Sequence, residues 1–251
     1  MEITKLFLLR ASVQSIFFIL RERQGNERRM KVIAYIHTDF PEKFGIPRQS
    51  GLIPQLTGTI QFEPEFCSVD AVKGLEGYDY IWLLWKFEGV ERKNWSATVK
   101  PPRLGGNTHV GVFATRSPFR PNPIGLSSVK LERIEYTEKG PLLHVSGIDL
   151  RNHTPIYDIK PYLPHVDSHP DARAGFAGEV KDYELDVIFP EELLTQIPEE
   201  KREALIEVLK QDPRPSYHND ATRKYGVSFA KWDVHFTVEE QVLTVFEVVE
   251  L

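Results

Sequence analysis

The sequence predicts a mainly β protein, with an antiparallel β-barrel or sandwich over residues 30–189 and a small α+β domain over residues 190–251. Three observations predict it. Short apolar or alternating runs recur from Val32 to Phe189, each closed by turn residues. No G-x-G-x-x-G follows a strand and no long helices alternate with strands, which argues against a doubly wound nucleotide fold. Near Pro190 the composition shifts and a helical pattern begins.

Residues 1–29 are read as an extension, or as a start assigned too early, with the working protein beginning near Met30. Their apolar pieces, Leu6–Leu9 and Ile16–Leu20, are each too short to cross a bilayer. No small-residue cleavage pattern follows them. Strands are expected at Val32–Ile36, Gly58–Phe62, Ile81–Phe87, Val110–Thr115, Leu126–Ile134, Leu142–Ile148 and Tyr183–Phe189. The run IWLLWKF at 81–87 reads as a central buried strand, although a buried helix shares that pattern. In Leu126–Ile134, Val129 and Leu131 alternate with Lys130 and Glu132. Pro190–Lys210 reads as helix: Pro198 suits a first helical position, Glu199 and Glu200 the first turn, and Lys210 the last. Asp212-Pro213 stops it. Lys231–Val238 and Val242–Val249 then form a hairpin around Glu239–Gln241.

The single Cys67 rules out an internal disulfide and suits a reducing, cytoplasmic setting. The eight histidines are scattered. His165 and His169 are flanked by Pro164 and Pro170, with Asp167 the nearby acid, so no metal site is expected. The net charge of −5 is unevenly spread: residues 92–133 hold eight Lys or Arg against one acid, Glu132, a net of +7. That segment is either a solvated face or a patch for phosphate. Within it, GVFATRSPFRPNPIG (111–125) packs Arg116, Arg120, Asn122 and three prolines into one run that closes on glycine. Prolines remove ladder donors, so this is a stiff loop holding polar groups in fixed directions. A second dense stretch, GIDLRNHTPIYDIKPYLP (147–164), reads as an Asx-type turn and an edge strand unless its Asp149, Asp158 and Lys160 carry chemistry.

Those two stretches, together with PRQSGL (47–52), GLEGYDYIWLLWKF (74–87), PPRLGGN (101–107) and QDPRPSY (211–217), resemble the TsaA-like family, in bacteria the TrmO (YaeB) family. The resemblance runs from about Lys31 to Leu251 and leaves residues 1–29 without a counterpart. It implies a homodimeric, S-adenosylmethionine-dependent tRNA methyltransferase of an all-β class. The acceptor would be N6 of N6-threonylcarbamoyladenosine beside the anticodon of threonine tRNA.

On that resemblance the cofactor site is expected at Ser50, Gly51, Leu52, Arg116, Leu126 and Asn152, His153, Thr154, Pro155. Glu88-Gly89 stand where the family pattern has His-Gln-like residues, and Glu88 is expected to meet ribose hydroxyls instead. Asp158 is the first candidate for the base and Asp149 the second, because a ureido-like nitrogen needs its proton accepted. RNA contacts are expected from Arg214, Tyr217 and Lys224, with Arg223 beside them; Arg120 and Asn122 either brace their loop or meet RNA, and Trp232 either meets RNA or packs in the core. Two other readings stay open: a non-catalytic nucleic-acid or nucleotide-binding module of the same fold, and a methyltransferase of this fold with another acceptor.

Overall fold

A computed structural model describes residues 30–90, 94–101, 104, 107–180, 184–214, 220 and 222–251. The N-terminal extension and Tyr217 lie outside them. In chain order the strands are β1 (Ala34–Thr38), β2 (Thr57–Phe62), β3 (Tyr80–Lys86), β4 (Thr98–Val99), β5 (Val110–Gly111), β6 (Ile124–Thr137), β7 (Gly140–Ser146), β8 (Thr154–Pro161), β9 (Asp186–Ile188), β10 (Tyr225–Phe229), β11 (Trp232–Glu239) and β12 (Val242–Glu250). Six of them close into a barrel in the order β1-β2-β7-β6-β3-β8. Every pair round it is antiparallel.

Alternation decides what faces inward. In β3, Ile81, Leu83 and Trp85 are buried while their neighbours are not. They meet Ile36, Ile60, Val129, Leu143, Val145 and Ile156 in the barrel interior. Closure matters for the Gly147–Pro164 stretch. The expected edge strand is instead a barrel stave, β8, hydrogen-bonded to β1 on one side and β3 on the other. A closed barrel leaves no edge for it to occupy. The expected strand at Val110–Thr115 stops after Gly111, where Val112–Ala114 wind into a 3-10 turn.

The expected Pro190–Lys210 helix is two: α2 (Glu191–Leu194) and α3 (Glu199–Lys210), after a short α1 at Pro164–Asp167. Pro198 has no N–H to continue α2, so it caps α3 from outside the first turn. Helix α3 buries Ala204, Leu205, Val208 and Leu209. It ends at Lys210, and Asp212 just beyond it takes a left-handed φ of 49°. Strands β10-β11-β12 form an antiparallel meander, and β9 joins β12 in parallel. Trp232 is buried there as core. The meander is fastened to the barrel side by Phe40 against Phe229, at 5.6 Å between centroids, and helix α3 by a 2.6 Å ion pair from Lys201 to Asp39.

Candidate active site

One cluster forms where β7 ends. Gly147, at φ 70°, turns the chain back. Its carbonyl accepts from Gly51 N at 2.8 Å and its own N–H donates to Leu56 O at 2.8 Å. The segment from Ser50 to Leu56 is thereby stitched to the Gly147–Leu150 turn. The hydroxyl of Ser50 accepts from Ser128 N at 3.1 Å. Its backbone N–H bonds the Asp149 carboxylate.

Asp149 also accepts from Ser127 Oγ at 2.6 Å, and Ser127 accepts from Trp85 Nε1 at 2.9 Å. An indole, a hydroxyl and a carboxylate are therefore joined by consecutive hydrogen bonds, starting from the buried positions Trp85 and Ser127. Strand register sets this: Trp85 lies opposite Gly125. A Cβ on Gly125 would stand 2.2 Å from the Trp85 ring. That close approach is why the proline-rich run closes on glycine. Burial pushes the Asp149 carboxyl up to about 6. The Ser127 hydroxyl, the N–H groups of Asp149 and Ser50, and the Arg116 charge pull the other way, in that order. A carboxylate balanced there is a competent base near neutral pH.

The proline-stiffened loop divides its cations between two tasks. Arg120 braces it, donating to Thr115 O at 3.0 Å and Ser117 O at 3.4 Å. Arg116 is exposed, donates to Gln49 Oε1 and acts on Asp149 through its charge. Asn122 is exposed, with its carbonyl taken by Ile124 N at 2.8 Å.

A second group gathers after β3. The Glu88 carboxylate accepts from Arg151 at 2.7 Å, and its carbonyl accepts from Lys43 Nζ. Gly89 follows at φ 65°. Beyond Arg151, the expected cofactor residues serve largely to join β8 to β1. Asn152 Oδ1 accepts from Thr38 N at 3.1 Å, and His153 N donates to Ile36 O at 2.8 Å. Thr154 donates to Arg151 O at 2.7 Å, and Pro155 pairs with Tyr35.

Asp158 lies elsewhere. It sits on the outer barrel face in a row with Leu84 and the exposed Leu126. It pairs with Lys160 at 2.8 Å, and both side chains are well exposed. Ser50, Arg116 and Asp149 thus converge, with Gly51 and Leu52 following Ser50, whereas Asp158 and Leu126 belong to the outer wall. Sequence reading missed Trp85, Ser127, Gln49 and Lys43. Their roles depend on strand register and loop position, which leave no local signature.

Of the expected RNA contacts, Lys224 is exposed, its Nζ 5.0 Å from the Phe246 ring centroid. Arg214 is buried and held in a fork by Asp212, at 2.8 and 2.9 Å. Asp167 is engaged by Trp82 Nε1 at 3.0 Å and Leu163 N at 2.8 Å. Among the described residues no group of three or more His, Cys, Asp or Glu could hold a metal ion, and no helix is long and apolar enough to cross a membrane.

Comparison with known proteins bears on these clusters together. Residues 35–168 match the tRNA-methyltransferase O N-terminal domain, and residues 182–251 match the TrmO C-terminal domain. The chain is 41% identical over 216 residues to an Escherichia coli protein named tRNA (adenine(37)-N6)-methyltransferase, covering 84% of this chain and 91% of that one. It is 42% identical over 212 residues to a Pseudomonas aeruginosa protein described as S-adenosylmethionine-dependent methyltransferase RcsF, covering 81% and 90%. A crystal structure of TrmO from Pseudomonas aeruginosa superposes with a TM-score of 0.72 at 36% identity, over 89% of this chain and 97% of that one. With both halves matched and the barrel reproduced, the chain belongs to the tRNA-methyltransferase O family.

Proposed function

We propose that this protein is an S-adenosylmethionine-dependent tRNA methyltransferase that methylates N6 of N6-threonylcarbamoyladenosine beside the anticodon of threonine tRNA. The observation that carries the reading at the site is the set around Asp149: a half-buried carboxylate with its pKa raised to about 6, held by Ser127 and Ser50 and facing the Arg116 charge. We take Asp149 as the base in preference to Asp158, whose carboxylate is spent on Lys160 in solvent.

The residues present fit the cofactor. Space above Gly51 is open, since a Cβ there would meet nothing within 4 Å. Arg116 offers a planar fork to a carboxylate. Glu88, held by Arg151, presents a fixed acceptor to hydroxyls. S-adenosylmethionine supplies a methyl group activated on a sulfonium centre. The protein supplies alignment, which accounts for much of the acceleration in such a displacement. Arg116, Glu88 and the Ser50–Leu52 turn would hold the cofactor that supplies the methyl group, and Asp149 Oδ would take the proton of N6. The ureido-like nitrogen has a delocalised lone pair, so removing its proton as the bond forms is where the carboxylate acts.

The exposed basic loop and Lys224 would meet tRNA phosphates. Arg120 and Arg214 would support RNA binding from within, by bracing their loops. We further propose a cytoplasmic homodimer; exposed Tyr80 and Leu126 on the outer barrel face offer apolar area for it. The test is methyl transfer from labelled cofactor to threonine tRNA with and without the threonylcarbamoyl group. Label on the modified tRNA alone is the expected result. Label on neither, together with no cofactor uptake by calorimetry, would favour the non-catalytic module.

A further inference from the structure

Trp95 and Phe113 form an exposed aromatic pair outside the site described above. Their ring centroids lie 6.1 Å apart with a 31° interplanar angle, and the residues are 54% and 72% exposed. They flank the small β4–β5 ribbon, in which Thr98 faces Gly111 and Val99 faces Val110. Val112 N donates to Ala97 O at 2.9 Å, and the Thr98 hydroxyl meets His109 Nδ1 at 3.2 Å. The rings are therefore displayed on hydrogen-bonded backbone. Large aromatic faces held in water mark a contact surface.

Two facts select the partner. The ribbon lies within residues 92–133, which carry a net charge of +7, so the complement is anionic. The same chain runs from Phe113 through Thr115 to Arg116, whose charge reaches Asp149. The partner therefore presents flat rings beside the reacting group and negative charge around them. An unpaired stretch of RNA has both.

We propose that Trp95 and Phe113 are a stacking platform for an unpaired nucleobase of the tRNA neighbouring the base that is methylated. This rests on the tRNA methyltransferase reading. With centroids only 6.1 Å apart the rings cannot admit a base between them, so it stacks on the outer face of the pair. Base–ring stacking is tolerant of sequence, so the platform grips the loop and leaves identity to contacts elsewhere.

The test compares the wild type with Trp95→Ala, Phe113→Ala, the double variant and Phe113→Tyr. Affinity for an anticodon stem-loop is measured by fluorescence anisotropy across salt, alongside kcat, KM, calorimetric cofactor binding and sedimentation. Each alanine should weaken RNA binding about 10-fold and the pair about 100-fold. The salt slope should not change, because no phosphate contact is lost. Cofactor affinity and kcat at saturating tRNA should hold, and Phe113→Tyr should stay within about 2-fold of wild type. Unchanged RNA affinity in the double variant overturns the platform. So does loss of the dimer without loss of RNA affinity, which would assign the rings to a second copy. If wild type itself binds no tRNA, the methyltransferase reading falls and takes the platform with it. Wild-type binding matched by all the variants removes the platform alone.

Discussion

The two aspartates of the Gly147–Pro164 stretch share one segment of chain and live in different surroundings. Asp149 sits in the turn after β7, roofed by Ser127 and Ser50 and pushed up to about 6 by burial. Asp158 sits on stave β8 with its side chain in solvent, paired to Lys160. A carboxylate's chemistry comes from what desolvates it and who donates to it, not from its place in a motif. The first aspartate is held at some cost to stability. The second is a surface ion pair, a class that contributes about 0–1 kcal/mol.

Asp149→Asn should break that comparison with the largest effect. Methyl transfer should fall by about 10²–10⁴-fold with cofactor binding nearly intact. Stability should move the other way. Between pH 4 and 6 the native state holds a proton on Asp149 that the unfolded chain has released, so native stability declines as pH rises through that window and stays lower above it. Asn removes this penalty. The variant should be more stable than wild type at pH 8, by about 1–3 kcal/mol, and the two should converge toward pH 4. Denaturant melts at both pH values check this; a variant less stable at pH 8 would mean the carboxylate is not penalised by burial. In wild type the same titration should halve the rate near pH 6 and abolish it on further acidification.

Gly125→Ala sharpens the comparison from the strand side, since it touches neither aspartate. The added methyl must displace the Trp85 ring, costing about 1–3 kcal/mol and breaking the Trp85–Ser127–Asp149 hydrogen bonds. Both stability and the pH midpoint of the rate should shift. An unmoved midpoint would separate the indole from the tuning of Asp149.

Smaller again is the contrast between two cations of the C-terminal half. Lys224→Glu should weaken tRNA binding and lower the salt slope by about one to two, leaving kcat at saturation alone. Arg214→Ala should act through folding instead, because it strips a buried fork from Asp212 and costs about 3–5 kcal/mol. Stability melts and binding isotherms on both variants distinguish the two.

How much of this was legible in the sequence follows from what each feature depends on. The staves showed in two-residue alternation, as in Leu126–Ile134, because burial of one face writes that period directly. Whether they closed did not show, since pairing of β8 with β1 joins residues far apart in sequence. Helix α3 shows through its terminal charges and apolar face, but the break from α2 does not, because the helical pattern continues past Pro198, which suits a first helical position as well as a cap. The stiff loop at 111–125 was visible, and so was Arg116. The Trp85–Ser127 bond was not: it requires the register that puts Trp85 opposite Gly125. For the same reason nothing in the sequence separates Asp149 from Asp158, two aspartates on one stretch whose surroundings differ only once the chain is folded.

Asp158→Asn is the smallest expected effect and the most direct check on that difference. Losing an exposed pair with Lys160 should change stability by less than about 1 kcal/mol. Neither Ser127 nor Ser50 touches this carboxylate, so the midpoint of the rate near pH 6 should stay where Asp149 sets it. Leu84 and Leu126 share its outer face, so any change belongs in KM or in dimer affinity rather than in the pH profile. A midpoint that disappears in Asp158→Asn and survives in Asp149→Asn would move the base to the outer wall. The indole–hydroxyl–carboxylate hydrogen bonds would then be a structural brace.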